Sequence, residues 1–102
     1  MENFMKHDIN KVLASEVTPR FILGTAQVLT FGAKKYARGN WTKMTEEDRV
    51  RINDSLLRHT YAYLSGEKLD PETGLSHLYS ISCNLMFLDN LDKNLEDRII
   101  NG

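Results

Sequence analysis

Apolar residues recur at helical spacing in three segments of this chain, and no segment shows strand-like alternation. In the first, Phe21, Ile22, Val28, Leu29, Phe31 and Ala33 predict a helix from about Pro19 to Tyr36, started by Thr18 as cap and Pro19 at the first helical position. Gly24 and Gly32 weaken it by about 1 kcal/mol each relative to Ala, and allow another backbone to come close. Ala37 to Trp41 reads as a loop. Val50, Leu56, Leu57, Tyr61 and Leu64 then predict a second helix from about Glu46 to Ser65. Thr45 is its expected cap, Glu46, Glu47 and Asp48 fill the first turn, and Gly66 is a natural stop. The third helix runs from about Leu75 to Asp92. Its face of Leu78, Ile81, Leu85 and Leu88, with Met86 and Phe87 beside it, is wide enough to bury against more than two neighbours.

These elements give an all-α fold, a small helical bundle of three principal helices completed by oligomerisation. The expected divisions are an N-terminal arm over 1–17, a helical domain over 18–92, and a tail or helix extension over 93–102 that carries Leu95, Ile99 and Ile100. A chain of 102 residues is one domain with a modest core, for which association is a common source of stability. The formal net charge of −1 gives no basic excess for a nucleic-acid polymer. No apolar run approaches the ~18 residues of a membrane span, and the N-terminus lacks the apolar run of a signal peptide, so a cytoplasmic protein is expected. The single cysteine, Cys83, lies in an apolar pattern and reads as a small buried hydrophobe.

Chemistry concentrates in one turn. Glu67, Asp70, Glu72 and His77 fall within eleven residues between the second and third helices. Three readings fit: a divalent-metal site, a phosphate or nucleotide site, and a stiff turn whose acids cap the next helix. The spacing does not match an EF-hand, and no Cys/His pattern for structural zinc is present. Hard cations such as Mg²⁺ need only one or two protein carboxylates when phosphates supply the remaining oxygens. His59 on the second helix and His77 at the start of the third can each donate to phosphate, act as acid or base, ligate a metal, or simply pack. His7, in the arm, carries no assignment. A second cluster, Lys34-Lys35-Tyr36-Ala37-Arg38-Gly39-Asn40-Trp41, combines cations for phosphates with aromatic rings for stacking and an amide for a base edge. It also reads as a solvated helix end with Trp41 plugging the core.

Leu29-Thr30-Phe31-Gly32-Ala33-Lys34-Lys35-Tyr36, Asn40-Trp41, Leu57-Arg58-His59, Gly66-Glu67, Asp70-Pro71-Glu72-Thr73-Gly74-Leu75, His77-Leu78 and Asn84-Leu85-Met86-Phe87-Leu88 together resemble a phage-encoded family. It is the dATP/dGTP diphosphohydrolase-like family, related to the MazG-type all-α nucleoside-triphosphate pyrophosphohydrolases. The resemblance covers about Thr18 to Leu91. It implies a helical nucleotide-binding domain that oligomerises with nucleotide between subunits, Mg²⁺ on carboxylates, and hydrolysis of purine deoxynucleoside triphosphates to release pyrophosphate. On this resemblance Glu67 and Asp70 are metal ligands with Glu72 beside them, and Glu67, Asp70 and His77 are the catalytic set. Lys34, Lys35, Arg58, His59 and His77 meet phosphates, while Tyr36, Asn40 and Trp41, with Asn84, contact the rest of the substrate. The sequence departs from the pattern: the Gly-Lys-Pro-Arg type of lead-in expected upstream is not seen, and the carboxylates of the motif are reduced. Leu23 to Val28 lacks the acids expected before the Phe-Gly-Ala-Lys-Lys-Tyr run, and the paired Glu-x-x-Glu motif is missing. The departure opens an alternative, a non-catalytic sponge that sequesters cyclic or modified nucleotide immune signals without metal.

Overall fold

The structure, a computed structural model, describes residues 11–101, with side chains to 100; His7 and the first part of the expected arm lie outside the described residues. Three helices dominate: α1 (Pro19–Lys35), α2 (Arg49–Leu64) and α3 (His77–Asn101). Within the arm, Ala14–Glu16 forms a 3-10 turn.

The predicted caps explain where the helices begin. Thr18 Oγ1 accepts from the Phe21 amide at 3.3 Å, with Pro19 following at the first helical position. Before α2, the Asp48 carboxylate accepts from the Thr45 amide at 2.8 Å. The first turn, Glu46–Asp48, is a 3-10 turn rather than the α-helix expected from Glu46. The expected loop at 37–41 is likewise partly ordered: Asn40–Lys43 is a 3-10 turn entered through Gly39, whose φ of 75° suits glycine.

Helix α3 differs most from expectation. It begins at His77 because Leu69 and Ser76 pair in an isolated antiparallel bridge, which holds Leu75 and Ser76 in the turn. Ser76 then accepts from the Leu78 amide at 3.1 Å. The helix continues past Asp92 to Asn101, so the tail is an extension of it, supported by a Lys93–Asp97 pair at 2.9 Å.

Helix α3 packs on α1 and α2, and the buried apolar side chains are few: Ile52, Cys83 and Leu91. Burial pushes the Cys83 thiol up to about 11, so it is an unreactive packing group. Among the described residues the wide apolar face of α3 meets these two helices and, through Phe87, Trp41 of the Asn40–Lys43 turn, and Leu85 stays half exposed. Phe21, Ile22 and Leu23 on α1 and Leu57, Tyr61 and Leu64 on α2 are also exposed. Among the described residues, no helix is long and apolar enough to cross a membrane.

Helices α1 and α3 approach closely at Gly24. Thr25 bonds Ser82 at 2.9 Å, and the Cys83 thiol donates to the Thr25 carbonyl at 3.4 Å. A Cβ on Gly24 would collide with the Tyr79 ring. That ring is held by Phe21 at its edge and by Arg20, whose Nε donates to the phenol oxygen at 3.0 Å. Gly32, by contrast, faces open space. Gly24→Val is therefore expected to destabilise by about 1–3 kcal/mol through overpacking. Gly32→Ala is expected to stabilise by about 0.5–1 kcal/mol through helix propensity. Urea denaturation of both variants checks this, and equal responses would contradict the packing.

Candidate functional site

The turn between α2 and α3 is built by its own backbone. The Asp70 amide donates to Leu75 O at 2.8 Å, Gly74 N to Asp70 O at 2.7 Å, and His77 N to Lys68 O at 3.0 Å. An Asx-type bond from the Glu72 amide to Asp70 Oδ1, at 3.0 Å, tightens the corner. Gly66 and Gly74 take positive φ at its two ends. The stiff-turn reading and the site readings are thus compatible, because the same bonds that fix the backbone also aim the side chains.

Two histidines meet here. His59 Nδ1 lies 2.8 Å from His77 Nδ1, although 18 residues separate them. His77 is buried, and its Nε2 lies 2.9 Å from Glu67 Oε1. An ionised carboxylate can only accept, so His77 Nε2 carries the proton. With neutral rings, His77 Nδ1 is then the acceptor and His59 Nδ1 the donor. Burial lowers the His59 pKa, with the Asp70 charge opposing and the neighbouring His77 and Arg58 adding to the shift. Asp70 completes the group: one ligand-type atom each from His59, Asp70 and His77 lies within 4.8 Å of the others.

Beside this cluster opens a groove of about 1380 Å³. Its walls are the C-terminal half of α1, the connector to α2, one stripe of α2, the turn, and the start of α3. Of the residues singled out from sequence, Lys35, Tyr36, Asn40, Trp41, Arg58, His59, Asp70, Glu72 and Asn84 line it. Lys34, Glu67 and His77 do not. Lys34 lies about 100° around the helix from Lys35 and is not among the lining residues. Glu67 and His77 stand behind the wall in contact with each other.

Several lining residues already have protein partners. Lys35 pairs with Glu72. Trp41 packs on Phe87 with ring centroids 5.6 Å apart, combining the core-plug reading with a face toward the groove. Asn84 is buried and donates to Ser55 Oγ at 3.2 Å.

Sequence reasoning missed Arg51, Asp54 and Ser55. With Arg58 and His59 they form a polar stripe on α2 at positions i, i+3, i+4, i+7 and i+8. That spacing was legible, since it is the same periodicity that marks an apolar face. Arg38, which also lines the groove, Asp54 and Arg58 form no ion pair among the described residues. Two cations and one carboxylate of the groove thus have no ionic partner among the described residues.

Comparison with known proteins places the chain in a family. The family model for the N-terminal domain of dATP/dGTP diphosphohydrolase matches residues 2–98. A curated dATP/dGTP diphosphohydrolase of Salmonella phage PMBT28 is 36% identical over 84 residues. That match takes in 82% of this chain and 28% of the phage protein, so the chain spans little more than a quarter of its relative's length. No solved structure matches.

Proposed function

The chain belongs to the dATP/dGTP diphosphohydrolase N-terminal family, and from that premise we propose that its groove binds a purine deoxynucleoside triphosphate and hydrolyses it to monophosphate and pyrophosphate. The observation that carries this reading is the meeting, in one groove, of unpaired cations, aromatic rings and carboxylates. Arg38 and Arg58 meet the phosphates. Tyr36, Asn40 and Trp41 contact the base or sugar, with stacking contributing ~1–3 kcal/mol per base. Lys35, held against Glu72, lends its charge to the same wall.

The donor set on the groove wall suits a Mg²⁺ that arrives with its nucleotide. Such an ion needs one or two protein carboxylates, and Asp54 and Asp70 are the groove carboxylates without a cationic partner among the described residues. Bound there, Mg²⁺ would neutralise phosphate charge and lower the pKa of the attacking water. The water oxygen bonds to phosphorus, the α–β phosphoanhydride bond breaks, and pyrophosphate departs with the bridging oxygen or receives the water's oxygen. Glu67 and His77, behind the wall, position Asp70 and His59 rather than touch substrate. Magnesium-dependent release of pyrophosphate from dATP or dGTP, abolished by EDTA, tests the reading; no release with either nucleotide would refute it.

One observation favours a second reading. Helix α1, which forms one wall, carries no carboxylate along its whole length. A groove with free arginines and few acids suits binding of an intact nucleotide without metal, as in a sponge for cyclic or modified nucleotide signals. In that case EDTA leaves binding unchanged.

Self-association belongs to the same proposal. The apolar residues left exposed on α1, α2 and α3 are covered by copies of the chain. Sedimentation at micromolar concentration is expected to give a species heavier than the 11.7 kDa chain; a monomer would remove this part of the account.

A further inference from the structure

The three-residue cluster at the base of the turn differs chemically from the carboxylate sites that Mg²⁺ prefers. We propose that His59, Asp70 and His77 form a binding site for a first-row transition dication of the Zn²⁺ or Co²⁺ type, distinct from any Mg²⁺ carried by a nucleotide.

Three observations carry this inference. The first is donor type. Two imidazoles and one carboxylate suit zinc-like ions, whereas Mg²⁺ takes oxygen donors and keeps its waters. The second is spacing. Two nitrogens each about 2.0–2.1 Å from one ion lie roughly 3 Å apart. The His59 and His77 Nδ1 atoms are already 2.8 Å apart, so an ion needs the two rings to turn their Nδ1 lone pairs toward it more than it needs them to travel. The Asp70 oxygen lies within 4.8 Å of both, which a side-chain rotation closes.

The third observation is the support behind the ligands. His77 gives its Nε2 proton to Glu67, which leaves Nδ1 with the lone pair that ligation requires. A carboxylate behind a ligating histidine is the usual outer shell of such a site. His77 is itself fixed by burial and by its amide bond to the Lys68 carbonyl. The Asp70 side chain is tethered through the Glu72 amide by one oxygen only. On binding, the ion replaces the proton between the two Nδ1 atoms, and that proton moves through solvent to His59 Nε2. The rings stay neutral and no net proton is released from them. Mg²⁺ keeps Asp54 and the nucleotide phosphates, and Asp70, with two carboxylate oxygens, serves both ions.

The inference stands apart from the pyrophosphohydrolase reading, because the ion is measured without nucleotide and without turnover. The full chain, freed of metal by chelation and dialysis, is titrated with Co²⁺ in the presence of excess Mg²⁺, and the visible absorption of ligated Co²⁺ is followed. Wild type is expected to bind one Co²⁺ per chain, displaceable by Zn²⁺. His59→Gln and Asp70→Asn, each verified as folded by circular dichroism, are expected to lose the signal. Glu67→Gln is expected to bind about 10–100-fold more weakly, as for other lost outer-shell partners. Absence of binding by wild type would overturn the proposal. So would equal binding by wild type and both ligand variants, which would place the ion on another histidine.

Discussion

Asp70→Asn is expected to lower kcat for dATP or dGTP hydrolysis by about 100- to 1000-fold, the usual range for removing one group that stabilises transition-state charge. In free energy this is about 3–4 kcal/mol. The substitution is almost isosteric, and the asparagine oxygen can still accept from the Glu72 amide as Asp70 Oδ1 does at 3.0 Å. The backbone bonds from Asp70 N to Leu75 and from Gly74 to Asp70 O do not involve the side chain. The turn therefore keeps its shape while losing its charge. KM should change far less than kcat, because Arg38 and Arg58 remain to hold phosphate. Steady-state kinetics with a pyrophosphatase-coupled phosphate readout separates the two constants. A proportional loss of thermal stability would mean that Asp70 is structural only.

The second large effect falls on stability. His77→Ala is expected to reduce the unfolding free energy by about 2–4 kcal/mol, combining a cavity with a lost hydrogen-bond partner. His77 is among the least exposed polar residues, and its ring contacts both His59 and Glu67. Glu67 is half exposed and can turn to water, but His59 Nδ1 loses its acceptor in a partly buried place. For a domain whose total stability is about 5–15 kcal/mol, this is a large fraction. Near its melting temperature a ~100-residue domain shifts by about 4–8 °C per kcal/mol, so Tm should fall by roughly 10 °C or more. Glu67→Gln keeps the buried ring in place and should cost much less. Differential scanning calorimetry of the two variants checks the ranking, and an unchanged Tm for His77→Ala would contradict the buried role.

The helices were legible because their signals are local. Thr18-Pro19, Thr45 with Asp48, and Gly66 act within a few residues, and each sits where the structure begins or ends an element. The start of α3 was misread because it is set by pairing between Leu69 and Ser76, which no helical periodicity reveals. Its end stood open between a tail and a helix extension because the segment is charged; the helix runs on through it, with Lys93 and Asp97 paired at i, i+4.

The site was legible as a set of residue types and only partly as an arrangement. The crowding of Glu67, Asp70, Glu72 and His77 marked the turn. Which carboxylate stands in the groove without a cationic partner depends on contacts formed at a distance. Glu72 is taken by Lys35, 37 residues away, and Glu67 turns behind the wall to His77. The meeting of His59 with His77 follows from the packing of α2 on α3, not from spacing along the chain. Asp54 was overlooked because α2 was read for its apolar residues, although its polar stripe repeats just as regularly.

In the proposed function this groove hydrolyses a nucleoside triphosphate. The most direct measurement is a mass balance on purified protein incubated with dATP, dGTP and a panel of cyclic di- and trinucleotides, with and without Mg²⁺. Nucleotides in solution are quantified by chromatography before and after the protein is denatured. The account predicts conversion of dATP or dGTP to its monophosphate and pyrophosphate, only when Mg²⁺ is present. A nucleotide that disappears from solution and returns unaltered on denaturation, with no pyrophosphate formed from either triphosphate, would contradict it.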